Sequence, residues 1–529
     1  MQTGDLDTAL LLLEQARSDC VEQADAAGEL QVILLLAQVH HRREDLGSAR
    51  LYTEEAAVLL AESPALDTAS RADAYLGLAR LAPDTGQLAQ GFVYAQEALR
   101  HYQKIGSRRG EYDAHILSKL IAQQRGHHQI AMAHLQAATQ LARLLDLGAA
   151  EQTFLLNTRA HTCWYRGQLT SALQTARQAV VLADSAGPVK FRVYNRLLCA
   201  NILRARQEYA DAEAMYRETS HVLEETGFSL FQVWIEVNWA WLDVLQARYD
   251  QARRRLYMAL ETADKGQAMS FNVFLAGVFA LTDRFREAED LLADSLHFYL
   301  SSGDELSVCA TRLHLAYVHL KTDRIATAEE QLTLALAWAS EWNVEYFPHW
   351  WHPQIVAAVC CHALASSIYP GHAERILVKH TGAAAIPQLR ALLGHAQSAA
   401  RQRAADALRL LNQPLTEHLK IPGDETVRRI LTQMITDGQL QPTHLERLAR
   451  LLTTAHSTEA ANPVLLATFG LYTHGASRGE IAQQLGRSES TIRNYITYIY
   501  ECFGLAHTGS RLRRRARLVE IAQGEGYIR

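Results

Sequence analysis

The chain has 529 residues, a formal net charge of −5 at pH 7, and Ala and Leu dominate over 29 glycines and 11 prolines. That length suits several domains of about 150 residues each, the composition predicts an all-α chain, and the mildly acidic balance excludes a uniformly basic nucleic-acid coat. No basic-then-apolar leader opens the chain and no run of about 18 apolar residues occurs, so neither a signal peptide nor a membrane span is expected.

In chain order, residues 1–344 read as a repeat array. A short polar turn, an apolar residue and then a small residue recur, as in Gly167-Gln-Leu-Thr-Ser-Ala172 and Ala247-Arg-Tyr-Asp-Gln-Ala252. The marks open at Gly4, Glu44, Gly86, Gly126 (one residue shifted), Gly167, Gln207, Ala247, Asp283 and Asp323. They close on Ala9, Ala49, Gly91, Ala131, Ala172, Ala212, Ala252, Ala288 and Ala328, spaced by 36 to 42 positions. Helical stripes flank each turn; around the last, Leu313, Ala316, Tyr317 and Leu320 precede it and Ala328, Leu332, Ala335 and Leu336 follow. The small residue lets the second helix approach the first. A hairpin of this kind cannot bury its face alone, so neighbours must stack into a solenoid with a concave surface. The chain opens at a turn mark, so the first repeat is expected to lack its leading helix and to need a cap. These turns resemble tetratricopeptide repeats, with a period nearer 40 than 34 and without most of the usual Trp and Pro marks.

Polar and aromatic groups cluster in the middle first helices: Asn157, Arg159, Tyr194, Asn195, Asn201, Asn238, Trp241 and Asn272. They are expected either to line a concave site for a peptide, a protein partner or a small-molecule effector, or to satisfy interhelical hydrogen bonds. His127-His128 lies in a repeat turn and is expected to be solvated.

Residues 345–460 are less regular and read as a capping and connecting region. His349-Trp-Trp-His352, followed by Cys360-Cys-His362, fits no compact zinc spacing, and with Trp338 and Trp342 upstream a packed aromatic end is the better account. No metal and no cofactor are expected. The seven cysteines include no Cys-Xaa-Xaa-Cys pair and suit reduced thiols in a cytoplasmic protein. One or two helices are expected over 384–411, a break at Ile421-Pro-Gly-Asp424, renewed helix over 427–454 and a linker over 457–463.

The last segment, 461–529, differs in charge. From Pro463 onward nine Arg stand against five Glu with no Lys or Asp, so the remainder carries the acidic excess. Ser477 can cap a helix with Glu480 three residues on, whose apolar face is Ile481, Ala482 and Leu485. Gly486 permits a turn, and Ser488 can cap a second helix with Ile492, Ile496 and Ile499 inward and Thr491, Arg493, Asn494 and Thr497 outward. A short helix, a glycine turn and a second helix with polar donors near its start is a DNA-reading layout.

The stretch from Gly475 to Gly504 resembles the LuxR-type helix-turn-helix domain of bacterial transcription regulators. Gly475, Ser477, Glu480, Ile481, Ala482, Leu485, Ser488, Glu489, Thr491, Asn494 and Gly504 match that pattern, while Ile492, Arg493 and Tyr495 stand where the family has Val, Lys and His. The resemblance implies that Arg493, Asn494 and Thr497 read bases in the major groove, with Ser488, Thr491 and Tyr495 on phosphates. Arg511 and Arg514 belong to an Arg cluster that would add phosphate contacts or meet an acidic neighbour. The order of long helical repeats before this domain resembles MalT-like regulators, but no Gly-Xaa4-Gly-Lys-Ser/Thr loop occurs, so their ATPase is not expected. The expected function is a non-enzymatic, sequence-specific transcriptional regulator whose repeat body senses a ligand or partner. It would act as a homodimer on a pseudo-palindromic site, with RNA polymerase a further candidate partner. The alternative is an interaction scaffold with only a non-specific DNA tether.

Overall fold

The computed structural model describes residues 3–528 apart from 44, 84–85, 227–230, 264, 412–424, 438, 441–447, 449–462 and 506–509. The chain divides into two compact units, Met1–Trp351 and His352–Arg529. The described residues form helices and no strand.

The first unit is built from α1 (Thr3–Glu22), α2 (Ala26–Arg42), α3 (Leu46–Glu62), α4 (Thr68–Leu81), α5 (Leu88–Ile105), α6 (Arg108–Gln124), α7 (His128–Ala142), α8 (Ala149–Tyr165), α9 (Leu169–Ala186), α10 (Val189–Ala205), α11 (Tyr209–Thr226), α12 (Gln232–Leu245), α13 (Tyr249–Thr262), α14 (Lys265–Leu281), α15 (Phe285–Ser302), α16 (Glu305–Lys321) and α17 (Ile325–Glu341). Each even-numbered helix pairs with the odd one after it, giving stacked helical hairpins from α2/α3 to α16/α17. This is the all-α repeat solenoid that the spacing predicts.

The turn marks act through the backbone. Gly86, Gly126, Gly167, Gln207, Ala247, Asp283 and Asp323, the residues that open the later marks, all have φ between +58° and +80°. The next N–H then reaches back to the carbonyl five residues earlier: Gln168 to Cys163 at 2.9 Å, Arg248 to Asp243 at 2.8 Å, Arg324 to His319 at 2.9 Å. This left-handed cap satisfies carbonyls that the ending helix leaves open. Five positions after the opening residue of each mark, Ala49, Ala131, Ala172, Ala212, Ala252, Ala288 and Ala328 are fully buried. A Cβ at Gly91 would collide with the Cβ of Ala82, so nothing larger than glycine fits there without a shift. The first mark behaves otherwise: Gly4 to Ala9 lies inside α1, not in a turn, because that helix already runs from Thr3.

The first helices of the hairpins form the inner layer. In α16, buried side chains occur at nearly every position from Leu306 to His319, whereas α17 buries a single stripe, Ala328, Leu332, Ala335, Leu336 and Ala339. A helix buried all round has packing partners on every side.

The solenoid curls far enough for early and late repeats of this unit to touch. Arg125 and His127, at the α6–α7 turn, bind Glu305 at the start of α16, with His127 Nε2 3.0 Å from Glu305 Oε2. Trp338 Nε1 donates to the same oxygen at 2.9 Å, and the His127 ring stacks on Trp342 with centroids 3.5 Å apart. His127 and His128 are therefore buried rather than solvated; α16 and α17 cover their turn from about 180 residues away.

The second unit comprises α18 (Pro353–Ala365), α19 (Pro370–Ile376), a π-helical turn (Leu377–Thr381), a 3-10 turn (Gly382–Ala385), α20 (Ile386–Leu392), α21 (Ser398–Leu410), α22 (Glu425–Thr436), α23 (Pro463–Thr473), α24 (Arg478–Gln484), α25 (Glu489–Cys502) and α26 (Arg511–Gly524). The helices expected over 384–411 are α20 and α21. Arg401 ties α21 to α22 by donating to the Thr436 carbonyl at 2.5 Å. The expected break at 421–424 lies outside the described residues, as do the linker expected over 457–463, up to the start of α23, and most of the helix expected beyond Asp437.

Candidate functional site

Two surfaces are candidates for a functional site, and each belongs to one unit. In the first unit, Val344–Trp351 leaves α17 as non-helical chain, bent at 348–350, and packs against the inner layer. His314 on α16 meets the Trp350 carbonyl at 3.0 Å, and Trp241 Nε1 on α12 donates to the Trp351 carbonyl at 3.1 Å. His349 Nε2 sits 2.7 Å from the Tyr165 hydroxyl on α8. The Trp350 ring lies against Phe274 and Tyr299, with centroids about 6 Å apart. Inner-layer donors thus hold a non-helical segment by its backbone carbonyls while aromatic rings pack against its side chains. This is how a groove holds a peptide. The His-Trp-Trp run is packed aromatic structure, with His349 against the Trp164 ring at 5.2 Å. Burial pulls His349 and His314 down to about 4, with the Arg204 charge adding to it at His349 and the Trp350 carbonyl opposing it at His314, so both rings are neutral at pH 7.

The polar groups singled out in the middle repeats divide into two sets. Asn157 Nδ2 donates to Asn195 Oδ1 at 2.7 Å, and Asn195 Nδ2 to the Ala179 carbonyl at 3.1 Å. Asn201 accepts from Tyr216 at 2.6 Å, and Asn238 accepts from Arg204 through its backbone carbonyl at 2.7 Å. These four Asn are buried, as is Trp241, and they link neighbouring helices. Arg159 is exposed, and Tyr194 and Asn272 are partly exposed. Tyr194 stacks on Phe231 at 5.4 Å and on His161 at 5.5 Å. Sequence reading passed over Lys119, Arg204 and Glu305. Lys119 had a visible signal, because it interrupts the stripe Ile116–Leu120–Ile121 of α6; Glu305 had none.

In the second unit, α24 and α25 form a tight helix pair. Ser477 and Glu480 make the expected reciprocal cap: Ser477 N donates to Glu480 Oε2 at 2.6 Å, and Glu480 N to Ser477 Oγ at 3.3 Å. Gly486 has φ +60°, and Ser488 Oγ accepts from Thr491 N at 3.1 Å to start α25. Ile481, Leu485, Ile492, Ile496 and Ile499 are buried as the spacing predicts. They pack over α23, where Tyr472 and Tyr500 share a hydroxyl hydrogen bond of 2.8 Å.

The outer face of α25 carries Arg493, Asn494 and Thr497, all exposed. The Thr497 hydroxyl donates to the Arg493 carbonyl at 2.9 Å, within its own helix. Ser488 and Thr491 join hydroxyls at 2.8 Å at the N-terminus of α25, and Tyr495 is partly exposed. The arginines of α26 split by role. Arg515 donates to the carbonyls of Tyr472 and Ala476 and so closes the C-terminus of α23. Arg514 lies 5.2 Å over the Tyr500 ring, and Arg517 pairs with Glu520 at 2.5 Å. Arg513 is exposed; the side chain of Arg511 lies outside the described residues.

No family model and no curated protein matches the chain. Among solved structures it is similar to a Rap protein complexed with competence and sporulation factor, at 13% identity over 68% of this chain and 99% of that chain, with TM-score 0.47. It is also similar to a human IFIT1 dimer with PPP-AAAA, at 14% identity over 76% and 90% of the two chains, with TM-score 0.38. A third similarity is to the APC/C hetero-tetramer Cut9-Hcn1, at 12% identity over 97% and 96%, with TM-score 0.35.

Proposed function

We propose that the repeat body is an interaction scaffold for an extended peptide or protein segment, and that the C-terminal helix pair tethers the chain to double-stranded DNA. The observation that carries the scaffold half is the inner layer itself, whose His314 and Trp241 donors already engage backbone carbonyls of a non-helical, aromatic-rich segment. The tether half is supported by the capped helix pair and by its arginine surplus over a body of opposite charge. The role is one of binding, without catalysis, in the cytoplasm. Among the described residues, no helix is long and apolar enough to cross a membrane.

One observation favours the finer reading of a sequence-specific LuxR-type regulator. Arg493 and Asn494 are adjacent and exposed on α25 and, among the described residues, their side chains make no hydrogen bond or ion pair. These are the side-chain types that pair with guanine and adenine edges. Two such helices in a homodimer would sit about 34 Å apart on a pseudo-palindromic site. Selection of bound sequences from a random DNA pool by the full chain separates the readings. An enriched motif that Asn494→Ala abolishes supports the regulator. Binding without enrichment leaves the tethered scaffold, and no binding at low salt overturns both DNA roles.

A further inference from the structure

Lys119 is a costly side chain for the first unit to bury. It is fully buried on α6, and its ammonium nitrogen has no hydrogen-bond partner. It takes part in no ion pair among the described residues. Arg204 on α10 repeats the pattern more mildly: one guanidinium nitrogen serves Asn238, while Nη2 is buried without a partner. An uncompensated buried charge is among the most destabilising features a fold can carry. A scaffold under selection for stability alone would place an apolar side chain at position 119.

The surroundings explain what the charge awaits. His128 and His161 each hold a buried Nε2 without a partner. Their rings lie 6.0 and 6.4 Å from the Tyr165 ring, which lies 5.7 Å from His349. Lys119 acts electrostatically on His128 and His161, together with Arg166 and His127 at the first and His349 at the second, and Arg204 acts on His349. The Lys and Arg charges that reach these rings, from Lys119, Arg166 and Arg204, are cationic. Beside Lys119 the ionisable neighbour is the Cys163 thiol, which burial keeps protonated. The carboxylate that reaches this cluster, at Tyr165, is Asp304, and it is committed to capping α16 through Ser307 N at 3.0 Å and Ser307 Oγ at 2.8 Å. Burial brings the Lys119 ammonium down to about 7, so an arriving anion would restore its charge. His161, Tyr165, Tyr194 and His349 are partly exposed.

We propose that Lys119, with His128 and His161 beside it and Arg204 beyond His349, forms a binding site for an oxyanion, the carboxylate or phosphate group of a small ligand. The site deepens the ligand-binding half of the proposed function and stands without the DNA half. An anion there would bridge α6, α7, α8 and α10, stiffening the repeats that the peptide-like segment also touches.

The test is thermal unfolding of the full chain at pH 7, titrated with inorganic phosphate or citrate at ionic strength matched with chloride, for the wild type and Lys119→Met. The wild type should gain a few degrees in Tm, saturably, with one or both oxyanions. A phosphate-only response assigns a phosphate ligand, a citrate-only response a carboxylate. Lys119→Met fills the same volume without the charge, so it should melt higher than the wild type in chloride alone and no longer respond to either anion. A variant that melts lower in chloride, or responds as the wild type does, overturns the site. If Lys119→Met does not fold, calorimetric titration of the wild type decides: saturable phosphate or citrate heat at matched ionic strength supports the site, and its absence overturns it.

Discussion

The contact that closes the solenoid rests on one carboxylate, and replacing it as Glu305→Gln is a quantitative test of the fold. Burial alone would raise Glu305, but hydrogen bonds from His127, Trp338 and Arg125, with the Arg125 charge, outweigh it and hold the group at about 2 against an ordinary 4.5. The side chain is 30% exposed, so solvent screens it only in part. A displacement of that size corresponds to about 3 kcal/mol of folded-state preference for the charged form. Because the folded value is depressed, this stabilisation is complete above about pH 4.5 and is lost as pH falls toward 2. Glu305→Gln keeps the shape and removes the charge, so it should cost about 2–3 kcal/mol at pH 7. The assay is urea unfolding followed by tryptophan emission, since Trp338 and Trp342 sit in the contact, at pH 7, 5, 4 and 3. The deficit of the variant should be constant down to about pH 5 and shrink below it. A deficit as large at pH 3 as at pH 7, or none at pH 7, would refute the electrostatic account of closure.

Three further outcomes follow from the geometry. Ala247→Gly relieves a φ of +58° that an L side chain adopts at a cost of about 1 kcal/mol, so the urea midpoint should rise slightly; a fall would mean that unfolded-state entropy dominates at that turn. Trp350→Ala removes a buried ring from between Phe274 and Tyr299 and should cost about 3–5 kcal/mol, while opening the inner layer to an added peptide of sequence 344–352; peptide binding equal to that of the wild type would count against the groove. Arg515→Met removes the donors that close α23, so it should lower C-terminal stability by about 1–3 kcal/mol and weaken binding equally on every DNA sequence, as followed by melting and gel shift.

What the sequence made legible is local. The turn marks after the first, their small residues and the two caps at Ser477 and Ser488 depend on groups three to five positions apart, and they appear where the spacing placed them; the first mark lies inside α1 instead. The curl of the solenoid is not local. It accumulates from small rotations between hairpins, so no stretch of sequence announces that the α6–α7 turn will meet α16, and His127 reads as a solvated turn residue until Trp342 covers it. The same holds at the inner layer. Asn157 and Asn195 read equally well as ligand groups or as hydrogen-bonding partners, and only the 2.7 Å contact between them distinguishes the two. Lys119 could have been found as a charge in an apolar stripe, but the absence of a partner is a property of three dimensions.

The central claim, a repeat scaffold that contacts DNA through the outer face of α25, is tested most directly by titrating labelled double-stranded DNA with the full chain at about 50 mM and about 200 mM salt, for the wild type, Arg493→Ala and Asn494→Ala. The account predicts saturable binding at the lower salt, steep weakening at the higher, and a loss of about 1–3 kcal/mol for Arg493→Ala. Absence of binding at the lower salt, or binding indifferent to both substitutions, would contradict it.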